Sequence, residues 1–415
     1  MLKETKIFIF LFAIFPIVDA LNGFVLSAGI NLPIGVAYRL VCIGFLVFQI
    51  ARKGFPKKLY TVLSVGFLFC GIISLFIQTI VLQNDLSGLL YDLTNMTKFF
   101  LWMLIPYYVY QRADLLKKTS YEKIFLTISV LFTVGLLIPY VLGIGNQTYA
   151  GSDAGYKAFF FANNDTTIGF IVSATFTGWY LFRQTKETKL WTRMLIALLY
   201  LGNLLGLLLL GTKTGIVYGV ILTIVLLLRF FFFQNRVGTV AKWGIGAVII
   251  AVLALVVIQG KAFILETVSG LLQRLTYFYN LYNGDLVRFI TSSRSEFLDS
   301  AFHSYTYSGN LMTQLFGYGF STRVATWGLG DLVEMDFFDV FFSLGIIGLI
   351  VTLGLLLFFF ITSCKKRNIY SVLFLILVLY GAFAGHVLFS ALSSTLFGLV
   401  CGGLFLQKES LCEKE

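Results

Sequence analysis

Long apolar runs separated by short polar stretches dominate the chain. A helix needs about 20 consecutive apolar residues to cross a lipid bilayer. Twelve runs approach that length, at residues 7–28, 32–50, 59–82, 97–111, 124–144, 165–182, 191–210, 214–233, 243–259, 338–362, 369–385 and 387–406. The run at 97–111 is short, and we expect its helix to begin near Leu89. The pattern predicts an all-α fold, a polytopic membrane bundle of about twelve transmembrane helices.

One polar stretch is much longer than the others. Residues 260–337 contain apolar positions at helical spacing (Leu271, Leu272, Leu275, Phe278, Tyr279 and Tyr282), which indicates an amphipathic helix. A second helix is predicted over 285–302. We therefore divide the chain into nine transmembrane helices (1–259), a partly helical extracytoplasmic loop (260–337), and three further transmembrane helices with a short tail (338–415).

The basic residues orient this predicted bundle. Twenty-two of the 31 Lys and Arg residues fall in seven clusters, all on one side when the spans alternate. They are Lys3, Lys6, Arg52, Lys53, Lys57, Lys58, Arg112, Lys117, Lys118, Lys123, Arg183, Lys186, Lys189, Arg193, Arg229, Arg236, Lys242, Lys365, Lys366, Arg367, Lys408 and Lys414. By the positive-inside rule this side is cytoplasmic, and both termini lie there.

Composition agrees with a membrane protein. Charged residues make up 12% of the chain and hydrophobic residues 58%, whereas a soluble domain has about 25% charged residues. The net charge of +11 comes from the inner loops, so it reflects topology and does not indicate a nucleic-acid partner. The five cysteines and two histidines show no metal-ligand spacing. We expect no metal and no cofactor.

Nine basic residues remain on the predicted outer side, and several are candidates for binding. Arg39 lies inside a span, as does Asp19, so the two form either a structural ion pair or a ligand-facing site. A charge within hydrocarbon costs about 2.5–3.5 kcal/mol on insertion scales and marks a functional site by default. Lys213 is either a charged turn or a cation at the outer mouth.

Asparagines and a second pair of arginines extend this set. Asn163 and Asn164 open a span, where they either cap the helix or line a polar pocket. Arg294, with Arg288 before it, lies on the predicted loop helix, where the alternative is a solvated face. His303 is expected at the surface, and His386 in a turn between helices.

The outer side therefore combines arginines, a carboxylate run and many aromatic residues. Arginine binds phosphate through paired hydrogen bonds. A carboxylate can act as general base toward a hydroxyl. Together these groups suit a lipid-linked pyrophosphate that carries an oligosaccharide.

Several short motifs occur in a characteristic order around the long loop. They are Phe160-Phe161-Ala162-Asn163-Asn164, Gly211-Thr212-Lys213-Thr214-Gly215, Ser293-Arg294, Leu315-Phe316-Gly317-Tyr318-Gly319, Glu334-Met335-Asp336-Phe337-Phe338-Asp339 and Leu344-Gly345-Ile346-Ile347-Gly348. In these motifs the chain resembles the O-antigen ligase and polysaccharide polymerase (Wzy-type) superfamily of bacterial membranes, which implies a GT-C-like bundle.

The resemblance implies polymerisation of undecaprenyl-pyrophosphate-linked repeat units into a capsule, exopolysaccharide or O-antigen at the outer face of the cytoplasmic membrane. Donor and acceptor would both be lipid-linked oligosaccharides, and a flippase and a chain-length regulator are expected partners. The residues expected to be catalytic are Arg294, Glu334 and Asp336. Those expected to bind substrate are Lys213, Arg288, Arg323, Arg39, Asn163, Asn164 and Asp339.

Two other functions stay open. Ligases of the superfamily typically place a His-Asn pair where this chain has Glu334 to Asp339, and this departure favours a polymerase over a ligase. A transporter or flippase of lipid-linked glycans would explain the many spans. Transporters usually contain internal repeats and broken helices near the midplane, and the sequence shows no repeat.

Overall fold

The structure is a computed structural model that describes residues 3–116, 118–149, 155–183, 189–233, 269, 272–273 and 275–406. The predicted span at 243–259, the first residues of the predicted loop and Leu271 lie outside the described residues. The chain divides into two compact units, one formed by Met1–Leu131 with Leu286–Glu415 and the other by Phe132–Asp285.

The first unit contains most of the helices. Its N-terminal part comprises α1 (Lys3–Ala13), α2 (Phe15–Ser27), α3 (Ile34–Lys53), α4 (Leu59–Phe76) with a π-helical turn (Ile77–Val81), a 3₁₀ turn (Leu86–Gly88) and α5 (Leu89–Gln111). α6 (Lys118–Val141) contains the unit boundary. α5 begins at Leu89, as the sequence predicts.

The second unit is smaller and lies between the two parts of the first along the chain. It comprises a short hairpin of β1 (Asn146–Gln147) and β2 (Tyr156–Ala158), followed by α7 (Asn163–Arg183), α8 (Leu190–Leu210) and α9 (Lys213–Phe233). Residues 275–281 are also helical, within the predicted amphipathic segment.

The C-terminal part of the first unit contains the loop helices and the last apolar helices. They are α10 (Leu286–Thr291), α11 (Arg294–Ser308), α12 (Leu311–Phe316), α13 (Phe320–Thr326), a 3₁₀ turn (Gly328–Gly330), α14 (Asp336–Lys366), α15 (Ile369–Phe383) and α16 (Ala391–Gly403). The predicted single helix over 285–302 is therefore two helices, with a break at Ser292–Ser293.

The helices within the described residues are those of a multi-pass membrane protein. Six are long and apolar enough to cross a bilayer, and seven spans result if α1 and α2, bent by 41°, count as one. Each predicted span within the described residues overlaps one helix, except that the first overlaps both α1 and α2, and α15 and α16 are short. The total of twelve stays a prediction.

An aromatic core holds the loop helices against the start of α14. Ala301, Tyr318, Trp327, Val333 and Phe342 are all buried and form one cluster. Burial of such apolar area contributes about 25 cal/mol for each Å² removed from water. The part of the loop from α11 to the start of α14 is thus packed around this cluster.

α14 is broken near its start. At Gly345 the backbone takes φ 70° and ψ −173°, and the carbonyl of Ser343 accepts a hydrogen bond from the Gly319 N–H at 3.1 Å. A Cβ on Gly345 would lie 2.3 Å from the Leu315 carbonyl oxygen. Only glycine fits there. The sequence motifs at residues 315–319 and 344–348 therefore pack directly against each other.

Candidate active site

Arg294 occupies the first position of α11, immediately after a strained turn. Ser292 and Ser293 both have positive φ, 54° and 68°, and the Ser293 N–H donates to the Arg288 carbonyl at 2.9 Å. Left-handed backbone is unfavourable for residues other than glycine and concentrates at functional sites. The turn ends α10 and directs the Arg294 side chain toward the segment before α14.

The Arg294 guanidinium binds two different groups of Glu334. Its Nε donates to the Glu334 carbonyl oxygen at 3.0 Å, and its Nη2 lies 2.7 Å from Glu334 Oε2. Its Nη1 donates to the Thr291 carbonyl at 3.2 Å. Among the described residues, these contacts use three of the five N–H groups that a guanidinium carries. Arg294 is thus fixed in position and retains donors for an anion.

His386 reaches the other oxygen of the same carboxylate. Its Nε2 lies 3.4 Å from Glu334 Oε1, and the two side chains are 25% and 34% exposed. His386 has a φ of 64°, as does Gly385 before it, in the turn between α15 and α16. A Cβ on Gly385 would lie 2.2 Å from the Glu334 carbonyl oxygen. The two backbones pass in contact, and glycine makes this approach possible.

The charges around Glu334 keep it ionised. Burial alone would raise its pKa, but hydrogen bonding and charge from His386, followed by the charge of Arg294, lower the pKa below its ordinary value of 4.5. Glu334 is therefore a carboxylate at neutral pH, shared between a guanidinium and an imidazole.

Asp336 lies close to this group but is buried. It is 2% exposed, and its Oδ2 accepts hydrogen bonds from the N–H groups of Val387 at 2.9 Å and Leu388 at 3.1 Å. These two residues directly follow His386. Asp336 therefore holds the turn that carries His386.

Arg323 and Asp339 form a buried ion pair at 2.9 Å, with side chains 1% and 4% exposed. Asp339 Oδ1 also accepts from the Val333 N–H at 3.0 Å, and Oδ2 from the Met335 N–H at 3.3 Å. Because Val333 and Met335 flank Glu334, this pair fixes the backbone on both sides of it. Both residues are expected from the sequence to bind substrate, and their contacts lie inside the protein.

Two further predicted arginines of the first unit have other surroundings. Arg288 on α10 pairs with Glu296 at 2.5 Å, and both side chains are partly exposed. Arg39 is buried in α3, where the charge of Asp19 acts on it. Its Nε has no hydrogen-bond partner among the described residues. Both interpretations of Arg39, as half of a structural ion pair with Asp19 and as a ligand-facing residue, stay predictions.

The remaining predicted site residues belong to the second unit. Lys213 is the first residue of α9, and its Nζ lies 6.0 Å from the centroid of the Phe278 ring. Asn163 begins α7 and donates to the Thr148 carbonyl at 2.6 Å. Asn164, next to it, is half-buried. The start of α7 and the turn before α9 are therefore ordered polar elements.

His386 is the site residue that sequence reasoning missed. The turn between helices in which it lies was predicted, but its contact with Glu334 was not. The sequence did contain a signal for His386. The chain has two histidines, and this one follows a glycine between two apolar runs. Among the described residues, no group of three or more His, Cys, Asp or Glu side chains could hold a metal ion.

The helices and this cluster define a class: a multi-pass helical membrane protein with a charged site built on its loop segments. The chain belongs to the family of O-antigen ligase like membrane proteins, whose family model matches residues 3–287 and 279–410. This confirms the resemblance seen in the sequence motifs. A comparison with curated proteins finds no match. Family membership makes the protein a glycan-processing membrane enzyme.

Proposed function

We propose that the protein polymerises oligosaccharide repeat units carried on undecaprenyl pyrophosphate. The reaction takes place at the outer face of the bacterial cytoplasmic membrane and produces a cell-surface polysaccharide. The observation that carries this proposal is the cluster of Arg294, Glu334 and His386, in which a fixed guanidinium lies next to a carboxylate–imidazole pair. Family membership supports the same class of reaction.

The chemistry needs few groups from the protein. The hydroxyl oxygen of the acceptor forms a bond to the anomeric carbon of the donor sugar, and the bond from that carbon to the pyrophosphate oxygen breaks. The electron pair of the broken bond leaves with the lipid pyrophosphate. Arg294 stabilises the charge that develops there, as preorganised cations do in active sites. The support expected from Lys213 and Arg288 stays a prediction.

Glu334 is the carboxylate assigned to the acceptor side. Its side chain is 34% exposed, whereas Asp336 is 2% exposed and bonded to backbone N–H groups. A group that acts on a substrate hydroxyl must come within about 2.6–3.2 Å of it. We therefore assign Glu334 to the acceptor hydroxyl, which it orients and whose proton it takes as the new bond forms, and a positioning role to Asp336.

An apolar groove of the first unit is chemically suited to the lipid tail. It lies beside the π-helical turn after α4 and the first half of α5, and its lining includes Phe76, Ile80, Leu93 and Phe100. Phe76 and Ile80 are 62% and 60% exposed. A polyprenyl chain would cover these side chains.

Ligation of a finished glycan is the second candidate, and His386 favours it. By the sequence resemblance, ligases have a histidine where this chain has the segment around Glu334. Here an imidazole reaches that carboxylate from the turn after α15 instead. The motif argument alone favours a polymerase, so the two reactions need an experimental distinction.

The length of glycans on gels makes this distinction in a strain that lacks the gene. A polymerase deletion leaves single repeat units. A ligase deletion leaves long polymer that stays attached to lipid. We expect single repeat units, and long lipid-attached polymer would contradict polymerisation and support ligation. An expected flippase and chain-length regulator would act before and alongside the enzyme.

Complementation then tests the site. Arg294→Ala should insert into the membrane in normal amounts, by immunoblot of membrane fractions, yet restore no long-chain glycan, because the leaving pyrophosphate loses its cation. Arg52→Ala, at an exposed position in the last turn of α3, is the matched control and should restore normal lengths. Normal polymer in the Arg294→Ala strain would overturn the assignment.

A further inference from the structure

The lining of the apolar groove suits a hydrocarbon chain. The groove encloses about 390 Å³, and the segment that lines it (the groove segment, residues 72–100) contributes two threonines and otherwise apolar side chains. The hydroxyls of Thr79 and Thr97 both donate to carbonyls of the preceding turn, at 2.8 and 2.7 Å. Along α5 the lining runs from Leu89 to Phe100, which corresponds to about 16 Å of helix. The groove therefore has the shape and polarity for an extended apolar chain.

The groove segment also binds the connection between α12 and α13. Gln78 lies in the π-helical turn beside lining residues, but it is 1% exposed. Its Nε2 donates to the carbonyls of Phe316 and Ser343, both at 2.7 Å. Asn84 Nδ2 donates to the Tyr318 carbonyl at 2.8 Å. π-Helical turns are rare and occur frequently at functional sites. This one joins the groove to the end of α12 and to the break in α14.

Asp92, in the first turn of α5, holds the start of α13. It is 4% exposed, and its Oδ1 accepts from the N–H groups of Phe320 at 2.8 Å and Ser321 at 2.7 Å. Its Oδ2 accepts from the Ser321 hydroxyl at 2.6 Å. A carboxylate is favourable at the unpaired N–H groups of a helix start. Leu89 and Leu93 on the same helix line the groove. Three side chains of the groove segment thus form a polar clamp: Gln78, Asn84 and Asp92.

α13 in turn positions the backbone around Glu334. It carries Arg323, whose Nη1 donates to Ser343 Oγ at 2.7 Å and whose Nη2 lies 2.9 Å from Asp339 Oδ1. Asp339 accepts from the N–H groups on both sides of Glu334. The side chains of Arg323 and Asp339 are buried. A continuous series of polar contacts and one short helix therefore connects the wall of the groove to the carboxylate assigned to the acceptor.

We propose that the polyprenyl tail of the donor increases the rate of glycan transfer, because the segment that lines its groove also fixes the catalytic loop. This inference rests on the proposed function. A tail in the groove packs against the groove segment and keeps Gln78 and Asp92 in the positions that order the loop, so both are positioning residues. Binding energy from a remote part of a substrate raises kcat when it is used to order the reacting groups.

Two donors with different tails test the wild-type protein in phospholipid vesicles. Each donor has its acceptor hydroxyl methylated, and the acceptor has a phosphonate linkage that cannot be cleaved, so one transfer gives one dimer of repeat units. A geranyl tail is shorter than the groove, whereas an undecaprenyl tail is longer. We expect kcat to be at least about 10-fold lower with the geranyl donor. Equal kcat values, with a difference in KM alone, would contradict the inference.

Variants of the clamp test the positioning role. Gln78→Ala and Asp92→Ala should each lower kcat more with the undecaprenyl donor than with the geranyl donor, so that the ratio of the two rates falls from about 10 toward 1. A general loss of folded protein would lower both rates alike and leave the ratio unchanged. An unchanged ratio in both variants would overturn the role of the clamp.

Two further substitutions serve as controls for the clamp. Asp92→Asn should restore the wild-type ratio, because its amide oxygen can accept from the same two N–H groups. Asp85→Ala should also show the wild-type ratio, since Asp85 is exposed and bonds to Ser87 in its own turn. A ratio near 1 in Asp85→Ala would show that the effect is not specific to the clamp.

A substitution in the groove tests where the tail lies. Leu93→Trp places an indole in the groove, and it should remove the advantage of the undecaprenyl donor over the geranyl donor. Leu90→Trp is the matched control, because Leu90 is 72% exposed on the same helix and lies outside the groove lining. It should keep the wild-type ratio. A wild-type ratio in Leu93→Trp would contradict the placement of the tail in this groove.

The outcomes separate the inference from the function on which it rests. Intact wild-type protein that forms no dimer from the undecaprenyl donor contradicts the proposed function. Dimer formation at a kcat that does not depend on the tail contradicts only the contribution of the tail to the rate.

Discussion

Backbone strain is concentrated at the candidate site. Ser292, Ser293, Glu334 and His386 all have positive φ, and each such residue costs about 1–3 kcal/mol. The buried carboxylates of Asp336 and Asp339 compensate by binding the N–H groups of the strained segments. Side chains from three separate parts of the chain are thereby held at hydrogen-bonding distance before any substrate binds.

The ion pair at Glu334 predicts a pH dependence of stability. Its pKa is lowered in the folded state, so the ionised carboxylate stabilises the fold above its ordinary pKa of 4.5, and this contribution is lost as the pH falls through the lowered value. We expect wild type to melt at a higher temperature than Glu334→Gln at pH 7, with the difference shrinking below about pH 4. Thermal unfolding in detergent measures this. A difference that grows on acidification would contradict the ion pair.

At the residue scale, sequence reasoning named two residues that the structure places in contact, but it did not separate exposed residues from buried ones. Arg294 and Glu334 were predicted and lie in contact. Asp336, Arg323 and Asp339 were expected at the substrate but are buried. Motif position alone does not distinguish a residue that touches substrate from one that supports it, because both occur in the same short segment.

Elements were predicted well where apolar length determines them. Each predicted span within the described residues is helical, the first of them as the bent pair α1 and α2, since lipid requires the backbone to satisfy its own hydrogen bonds. The loop helices were less predictable. The break between α10 and α11 falls at two serines with left-handed backbone. Tertiary contacts impose this conformation, and a serine in the sequence does not predict it.

The broken helix α14 gives a prediction at this scale. Gly345→Ala should destabilise the protein by at least about 1–3 kcal/mol, because alanine disfavours positive φ and its Cβ would lie 2.3 Å from the Leu315 carbonyl oxygen. The melting temperature in detergent measures the effect.

Gly354 on the same helix is the matched control. A Cβ there meets nothing within 4 Å, and alanine is favoured over glycine in a helix by about 1 kcal/mol. Gly354→Ala should therefore be neutral or stabilising. Equal effects of the two substitutions would contradict the role assigned to the break.

Across the whole molecule, the charge pattern predicts the orientation. The basic clusters place Lys58 on the cytoplasmic side and the loop residue Asp299 outside. In a cysteine-free background, a membrane-impermeant maleimide added to intact cells should label Asp299→Cys but not Lys58→Cys. Both positions are exposed, so accessibility within the protein does not limit the reaction. The reverse labelling pattern would show that the protein has the opposite orientation in the membrane.

Family membership and class follow from features spread along the whole chain, and this is why they could be predicted. Apolar runs, basic loops and short motifs in order each contribute a little, and the family match covers residues 3–287 and 279–410. The His386–Glu334 contact could not be predicted this way, because it joins two turns that are distant in sequence. Such contacts depend on how the helices pack.

Reconstitution tests the central claim most directly. The purified protein in phospholipid vesicles would be given a single synthetic repeat unit on polyprenyl pyrophosphate, with no nucleotide and no added metal. We predict a ladder of lipid-linked products that differ by one repeat unit, with release of polyprenyl pyrophosphate, and no ladder with Arg294→Ala. Intact wild-type protein that leaves the repeat unit unextended would contradict the assignment of the protein as a polymerase.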